Sequence, residues 1–152
     1  STSCSDRCVP SVVALLNNQS ILPRFCSRMS LTHSDMIEVR FVEGKGRGVF
    51  ARRFIPIETE IERVPVLVVD DELVHTELFD YLFEWGEDTL ALAMGYGSIY
   101  NHSYNPNARY DDDQPMIKTF TAIRHIFQGE EITVNYNGEP HLMDPVEFDV
   151  VD

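Results

Sequence analysis

Apolar and polar residues alternate in short stretches along most of the chain from residue 36 onward. Residues 37–41 alternate with period two, as a half-buried β-strand does. Further strands are predicted where such stretches recur, at 49–51, 61–69, 116–122 and 131–136. The pattern therefore indicates a mainly β domain with long connections between short strands.

Two local features refine this prediction. Pro65 lies within the predicted strand 61–69, and proline donates no backbone hydrogen bond, so we expect that strand at a sheet edge. Asp70 and Asp71 are suitable N-terminal residues for a short helix reaching about Asp80. Such a helix would place Val74, Leu78 and Leu82 on one face.

The first 35 residues differ in composition from the rest. They are rich in serine and contain all three cysteines, Cys4, Cys8 and Cys26. We interpret 1–35 as an N-terminal extension, either a targeting segment of transit-peptide composition, an irregular arm, or residues upstream of an internal start at Met36. The predicted domain covers 36–138, and the proline-bearing segment 139–152 is predicted to be an irregular tail.

Charge and composition narrow the classes of partner. The chain carries a net charge of −13, and residues 1–35 carry +1, so residues 36–152 carry −14. Such an acidic surface disfavours nucleic-acid binding and favours a basic peptide or protein. No apolar run is long enough for a membrane-spanning helix. Because no cysteine follows Cys26, we expect neither a disulfide-stapled core nor a cysteine-held metal, and we predict no metal site.

Three polar segments suggest more than structural roles. They are the glycine-rich segment 45–50, KGRGVF, the loop 101–107, NHSYNPN, and the segment 129–136, GEEITVNY. Each alone has an ordinary explanation: a glycine-rich hairpin turn, a polar loop, and a strand. The loop follows the apolar pair Ile99-Tyr100, so its asparagines and His102 would need hydrogen-bond partners if buried. His102 is then either a base or, as we favour, a structural hydrogen-bonding residue.

Together and in this order, the three segments resemble the SET-domain family of protein-lysine methyltransferases. The resemblance rests on GKGRGVFA, DYLF at 80–83, GYGSIYNHSYNPNARY at 95–110 and GEEITVNY, and it extends from about Ile37 to Gly138. It looks most like the minimal SET proteins of bacteria and large DNA viruses. It implies a mainly β fold of several small sheets with a C-terminal pseudoknot, in which the segment after the loop passes beneath a loop near GEEIT.

The resemblance also implies an activity and its residues. The chain would transfer a methyl group from S-adenosyl-L-methionine to a lysine of a basic protein, such as a histone-like tail. Tyr136 matches the family's catalytic tyrosine. The expected cofactor-binding residues are Lys45, Gly46 and Arg47, mainly through their backbone, Asn101 and His102 on the adenine side, and Tyr136.

Other residues are expected to form the channel for the substrate lysine. Tyr81 and Tyr110 are candidate aromatic walls, whereas Tyr96 is better explained by core packing. The zinc-binding cysteine segments that flank the domain in relatives are absent, so the tail with Phe148 as an aromatic lid, or a second subunit in a homodimer, would close the channel. Tyr110 stands where relatives carry Tyr or Phe, which implies mono- or dimethylation.

A different class of function stays open at this point. A SET-like module could keep the fold and bind cofactor or partners without turnover. The residues matching the catalytic tyrosine and the NHS loop favour an enzyme. The compartment stays open, with nucleus or chromatin and an organelle as alternatives.

Overall fold

The structure, a computed structural model, describes residues 31–146, Phe148 and Val150. The chain divides into two units, 1–30 and 31–152, and all the described residues belong to the second. The three cysteines and most of the predicted N-terminal extension lie outside the described residues. No helix within the described part is long and apolar enough to cross a membrane.

Nine strands form two sheets within the described residues. In chain order they are β1 Ile37–Val42, β2 Gly46–Ala51, β3 Glu60–Asp70, β4 Leu82–Glu84, β5 Thr89–Ala93, β6 Asn101–His102, β7 Ala108–Gln114, β8 Ile117–Ala122 and β9 Glu131–Val134. One sheet has the order β1-β2-β9-β6, and the other has the order β4-β5-β3-β8-β7. The mainly β architecture of small sheets predicted from the sequence is confirmed.

Residues 43–45, which lead into the glycine-rich segment, form the turn between β1 and β2. Gly44 and Gly46 both adopt φ of 83°, a left-handed conformation that favours glycine, and the strands on either side pair antiparallel. Beyond the turn, alternate residues of β2 enter the core, where Val49 and Ala51 are fully buried. The turn thus places Lys45 at one end of the β1–β2 pair.

The position of Pro65 differs from the prediction. β3 is the central strand of its sheet, not an edge strand. Its pairing with β8 ends at Pro65, and its pairing with β5 begins at Val66. Proline is tolerated in this central strand because it lies where the strand changes partners, and its carbonyl still accepts a bond from the Met94 N–H at 3.0 Å.

The predicted helix over 70–80 is also wrong. The segment forms two short 3-10 helices, Asp71–Leu73 and Thr76–Tyr81, and the next residue, Leu82, begins β4. Leu78, expected on a buried face, is 53% exposed. The apolar residues of this segment do not face the core, so a regular helix here would not be stabilised by burial of an apolar face.

The loop 101–107 and β9 interlock, as the predicted pseudoknot requires. β6 pairs parallel with β9, with Asn101 opposite Thr133 and His102 opposite Val134. Farther along, the buried side chain of Asn107 donates to the Glu131 carbonyl at 2.7 Å and accepts from the Thr133 N–H at 2.9 Å. These bonds hold two segments distant in sequence against each other and explain why a polar loop follows apolar sequence.

Candidate active site

The three polar segments meet at one place in the first sheet. The Asn101 side-chain amide donates to the Arg47 carbonyl at 3.0 Å and to a Glu131 carboxylate oxygen at 2.7 Å. The Lys45 ammonium lies 3.4 Å from the other oxygen of Glu131. Four of the residues expected to bind the cofactor are therefore neighbours. They are Lys45, Gly46, Arg47 and Asn101.

Gly48 allows this close approach. A Cβ added at this position would lie 2.5 Å from Glu131 Oε1 and 3.0 Å from the Asn101 amide nitrogen. A side chain here would therefore displace the polar groups that the loop and β9 bring together. Glu131 lies in the GEEITVNY motif, but sequence reasoning assigned it no role of its own.

S-adenosylmethionine fits the charges of this cluster. The Lys45 ammonium has N–H groups beyond the one facing Glu131, which suit a carboxylate, and Glu131 supplies acceptors suited to an ammonium group. Both amide hydrogens of Asn101 are used by the Arg47 carbonyl and Glu131. Among the described residues, no group of three or more His, Cys, Asp or Glu side chains could hold a metal ion.

His102 is a buried structural hydrogen-bonding residue. Its Nδ1 accepts a bond from the Tyr136 backbone N–H at 3.1 Å. Its ring packs edge-on against Tyr104, with centroids 4.5 Å apart, and lies 5.2 Å from the Tyr136 ring. The side chain thus positions Tyr136, and the expected adenine contact of His102 stays a prediction.

Tyr136 donates its hydroxyl proton to the Tyr100 carbonyl at 2.7 Å. Burial raises the pKa of Tyr136 to about 12, and the nearby Asp80 carboxylate contributes to the rise. The hydroxyl is therefore protonated at neutral pH and acts as a hydrogen-bonding group, not as a base. This agrees with a role in orienting reactants rather than removing a proton.

Tyr100 supports this arrangement, and sequence reasoning missed it. Its ring stacks on Phe120, with centroids 4.4 Å apart, and its hydroxyl donates to Glu62 at 3.1 Å. Burial raises the pKa of Glu62, whose carboxylate also accepts the Tyr96 backbone N–H at 3.1 Å. Nothing in the local pattern marked Glu62, since a charged residue in a strand usually faces solvent.

Tyr110 lies beside Tyr136, as the channel prediction requires. Its hydroxyl donates to the Tyr136 carbonyl at 3.3 Å, and Phe83 packs edge-on against its ring with centroids 5.0 Å apart. Burial, with Asp112 and Glu84 nearby, raises the pKa of Tyr110 to about 12. Tyr81 is half exposed and is one of the groups that raise the pKa of Tyr136, so it too is a neighbour of the site.

The C-terminal tail folds back onto this region. Asn135 donates to the Leu142 carbonyl at 2.7 Å, and the Tyr104 hydroxyl donates to the Asp144 carbonyl at 3.0 Å. The Phe148 ring lies 5.9 Å from the Tyr136 ring and 6.0 Å from the His102 ring. The contacts suit a lid, and the lid function itself stays a prediction.

Comparison with known proteins agrees with this geometry. The SET domain family model matches residues 46–137. The chain is 37% identical over 106 residues to a Schizosaccharomyces pombe protein named histone-lysine N-methyltransferase, H3 lysine-37 specific, covering 66% of this chain and 72% of the relative. The crystal structure of a Plasmodium falciparum protein, described as a candidate histone methyltransferase, superposes with a TM-score of 0.61 at 29% identity, covering 70% of this chain and 95% of that one.

The chain therefore belongs to the SET-domain family. Within that family it is a protein-lysine methyltransferase. The family resemblance stated from the motifs, and the transfer of a methyl group to lysine that it implied, are confirmed.

Proposed function

We propose that this protein transfers a methyl group from S-adenosylmethionine to a lysine of a histone tail, forming mono- or dimethyl-lysine. The observation that carries the proposal is the placement of Tyr136. Its protonated hydroxyl is held by the Tyr100 carbonyl and its own carbonyl by Tyr110, at the point where the NHS loop meets β9. The relatives named as histone methyltransferases support a histone as the substrate.

The cofactor would be held where the glycine-rich segment, the NHS loop and Glu131 meet. Lys45, Gly46 and Arg47 would bind it mainly through their backbone, and Asn101 and His102 would lie on its adenine side. The cofactor supplies an electrophilic methyl group on a positive sulfonium. Everything else in the reaction is positioning and control of charge by this chain.

The target lysine must lose its proton before it can accept the methyl group. An ordinary lysine has a pKa of about 10.4, so the neutral form costs roughly 4–5 kcal/mol at pH 7. Aromatic walls formed by Tyr81, Tyr110 and Tyr136 would desolvate the ammonium and lower its pKa. The Tyr136 hydroxyl would orient the amine, and such alignment can supply about 7–11 kcal/mol.

A run of negative charge includes residues beside this region. Residues 70–88 include eight carboxylates and no lysine or arginine, and all eight carboxylate residues are exposed. Two of them, Asp80 and Glu84, act on the hydroxyls of Tyr136 and Tyr110. A cationic peptide would be drawn to the site by this charge, which favours a histone tail over an acidic or neutral partner.

The test is transfer of labelled methyl groups from S-adenosylmethionine to core histones and tail peptides by the full chain. Tyr136→Phe should fold and bind the cofactor yet lose most turnover, because it lacks only the hydroxyl. The matched control, Tyr96→Phe, removes a hydroxyl from a tyrosine assigned to packing and should retain turnover. Near-normal turnover of Tyr136→Phe would contradict its assigned role. Transfer to other basic proteins but to no histone would instead contradict the histone as substrate and leave the lysine methyltransferase activity standing.

A further inference from the structure

A buried lysine lies directly behind the predicted substrate channel, and the chemistry above does not use it. Lys118, on β8, has a side chain with 0% exposure. Its Nζ lies 4.3 Å from the Phe83 ring centroid, 4.4 Å from that of Tyr110 and 5.5 Å from that of Trp85. Three aromatic faces therefore surround one ammonium group.

The ammonium also has a carboxylate partner. The Asp112 carboxylate lies 2.7 Å from Nζ, while burial of the amine lowers its pKa and Asp112 and Asp111 oppose that shift. On the neighbouring strand β3, Val64 pairs with Lys118, and Glu62 lies two pairs farther along, opposite Phe120. The Asp112 side chain is 39% exposed whereas that of Lys118 has no exposure, so the carboxylate reaches solvent while the ammonium is held among the rings.

Tyr110 is restrained from three sides as a result. Lys118 lies over its ring face, Phe83 packs against it edge-on, and its hydroxyl bonds to the Tyr136 carbonyl. An aromatic face attracts a cation lying over it, and the attraction is stronger when the cation is shielded from water, as Lys118 is. Lys118 is thus positioned to control how far the Tyr110 ring can move.

We propose that Lys118 is a positioning residue that holds the Tyr110 ring in place and thereby limits how many methyl groups the target lysine receives. This inference rests on the proposed function. A second methyl transfer requires the methylated amine to rotate back into line, which needs space beside Tyr110. The face of Tyr110 is also already engaged by one cation, so it attracts a methylated ammonium less strongly.

Two substitutions at the same position separate charge from packing. Lys118→Met keeps an unbranched side chain among the rings and removes the ammonium, whereas Lys118→Arg keeps a cation. We expect Lys118→Met to raise the share of higher methylation states severalfold in mass spectra of peptide after many turnovers. Lys118→Arg should retain the wild-type distribution. An unchanged distribution in Lys118→Met, or an equal shift in both variants, would overturn the proposal.

A measurement that needs no substrate tests the inference independently of catalysis. The ring-flip rate of Tyr110, followed by NMR of labelled tyrosine, should be slow in the wild type and in Lys118→Arg, and faster in Lys118→Met. Equal rates would overturn the proposal whether or not histones are methylated. If Lys118→Met does not fold, Phe83→Leu loosens the same ring from its other side and should change the flip rate and the products in the same direction. Absence of methyl transfer by the wild type contradicts only the proposed function.

Discussion

The interlocked segments depend on one buried asparagine, and its replacement is the sharpest test of the fold around the site. Asn107 is 1% exposed and joins the NHS loop to β9 through bonds to the Glu131 carbonyl and the Thr133 N–H. It also donates to the Glu130 carboxylate at 3.3 Å. Asn107→Ala removes all three bonds and leaves two backbone groups of β9 without these partners.

The expected loss follows from those two backbone groups. A buried polar group that loses its partner costs about 1–3 kcal/mol, so the free energy of unfolding should fall by about 2–6 kcal/mol. At roughly 4 °C per kcal/mol for a domain of this size, the melting temperature should fall by about 8 °C or more. Since β9 leads directly into Tyr136, methyl transfer should fall as well.

The assay is urea and thermal unfolding of the full chain followed by circular dichroism. Asn105→Ala provides the matched control, because Asn105 is an exposed residue of the same type in the same loop. It should melt like the wild type. If Asn107→Ala also melts like the wild type and its control, the hydrogen bonds described here do not stabilise the crossing, and the reasoning is refuted.

Three further predictions concern cofactor, product and substrate. Asn101→Ala leaves the Arg47 carbonyl without this donor and leaves Glu131 with Lys45 alone of the two, which should cost about 1–3 kcal/mol in cofactor affinity or stability; calorimetry and melting that both match the wild type would count against this role. Tyr110→Phe removes the bond to the Tyr136 carbonyl and should shift products toward higher methylation without abolishing turnover; mass spectra with an identical distribution would contradict it. Association of a cationic peptide should slow as the Debye length falls from about 10 Å at 0.1 M salt to about 3 Å at 1 M; a stopped-flow rate independent of salt would remove the electrostatic argument.

Local pattern was sufficient for most strands and for the family. Alternation placed β1 and β8 to within a residue or two, because one face of each strand must be apolar to join the core. The order of the motifs identified the SET domain, because the glycine-rich segment, the NHS loop and the tyrosine segment follow one another as they do in that family. The same order predicted that Tyr110 and Tyr136 would be neighbours.

Pairing between distant segments decided the place of Pro65 and the structure of residues 70–80, which the local pattern predicted wrongly. A proline usually indicates an edge strand, yet Pro65 is central because β3 exchanges partners there, which depends on β5 and β8 rather than on its neighbours in sequence. The apolar residues of segment 70–80 have a helical spacing, but in the fold their side chains do not pack against the core. Both errors come from reading a local preference where tertiary contacts set the outcome.

The sequence by itself determined the fold class, the family and Tyr136 as the catalytic candidate, since a motif is defined by its residue types and their order. Only the tertiary structure brought Lys118 among Phe83, Trp85 and Tyr110, and placed the Tyr100 carbonyl on the Tyr136 hydroxyl. An isolated lysine in a predicted strand looks like a solvent-facing residue, because nothing near it in sequence shows the rings that will surround it. Such contacts form only when β4, β7 and β8 assemble, so the aromatic surroundings of Lys118 can be recognised only in the folded sheet.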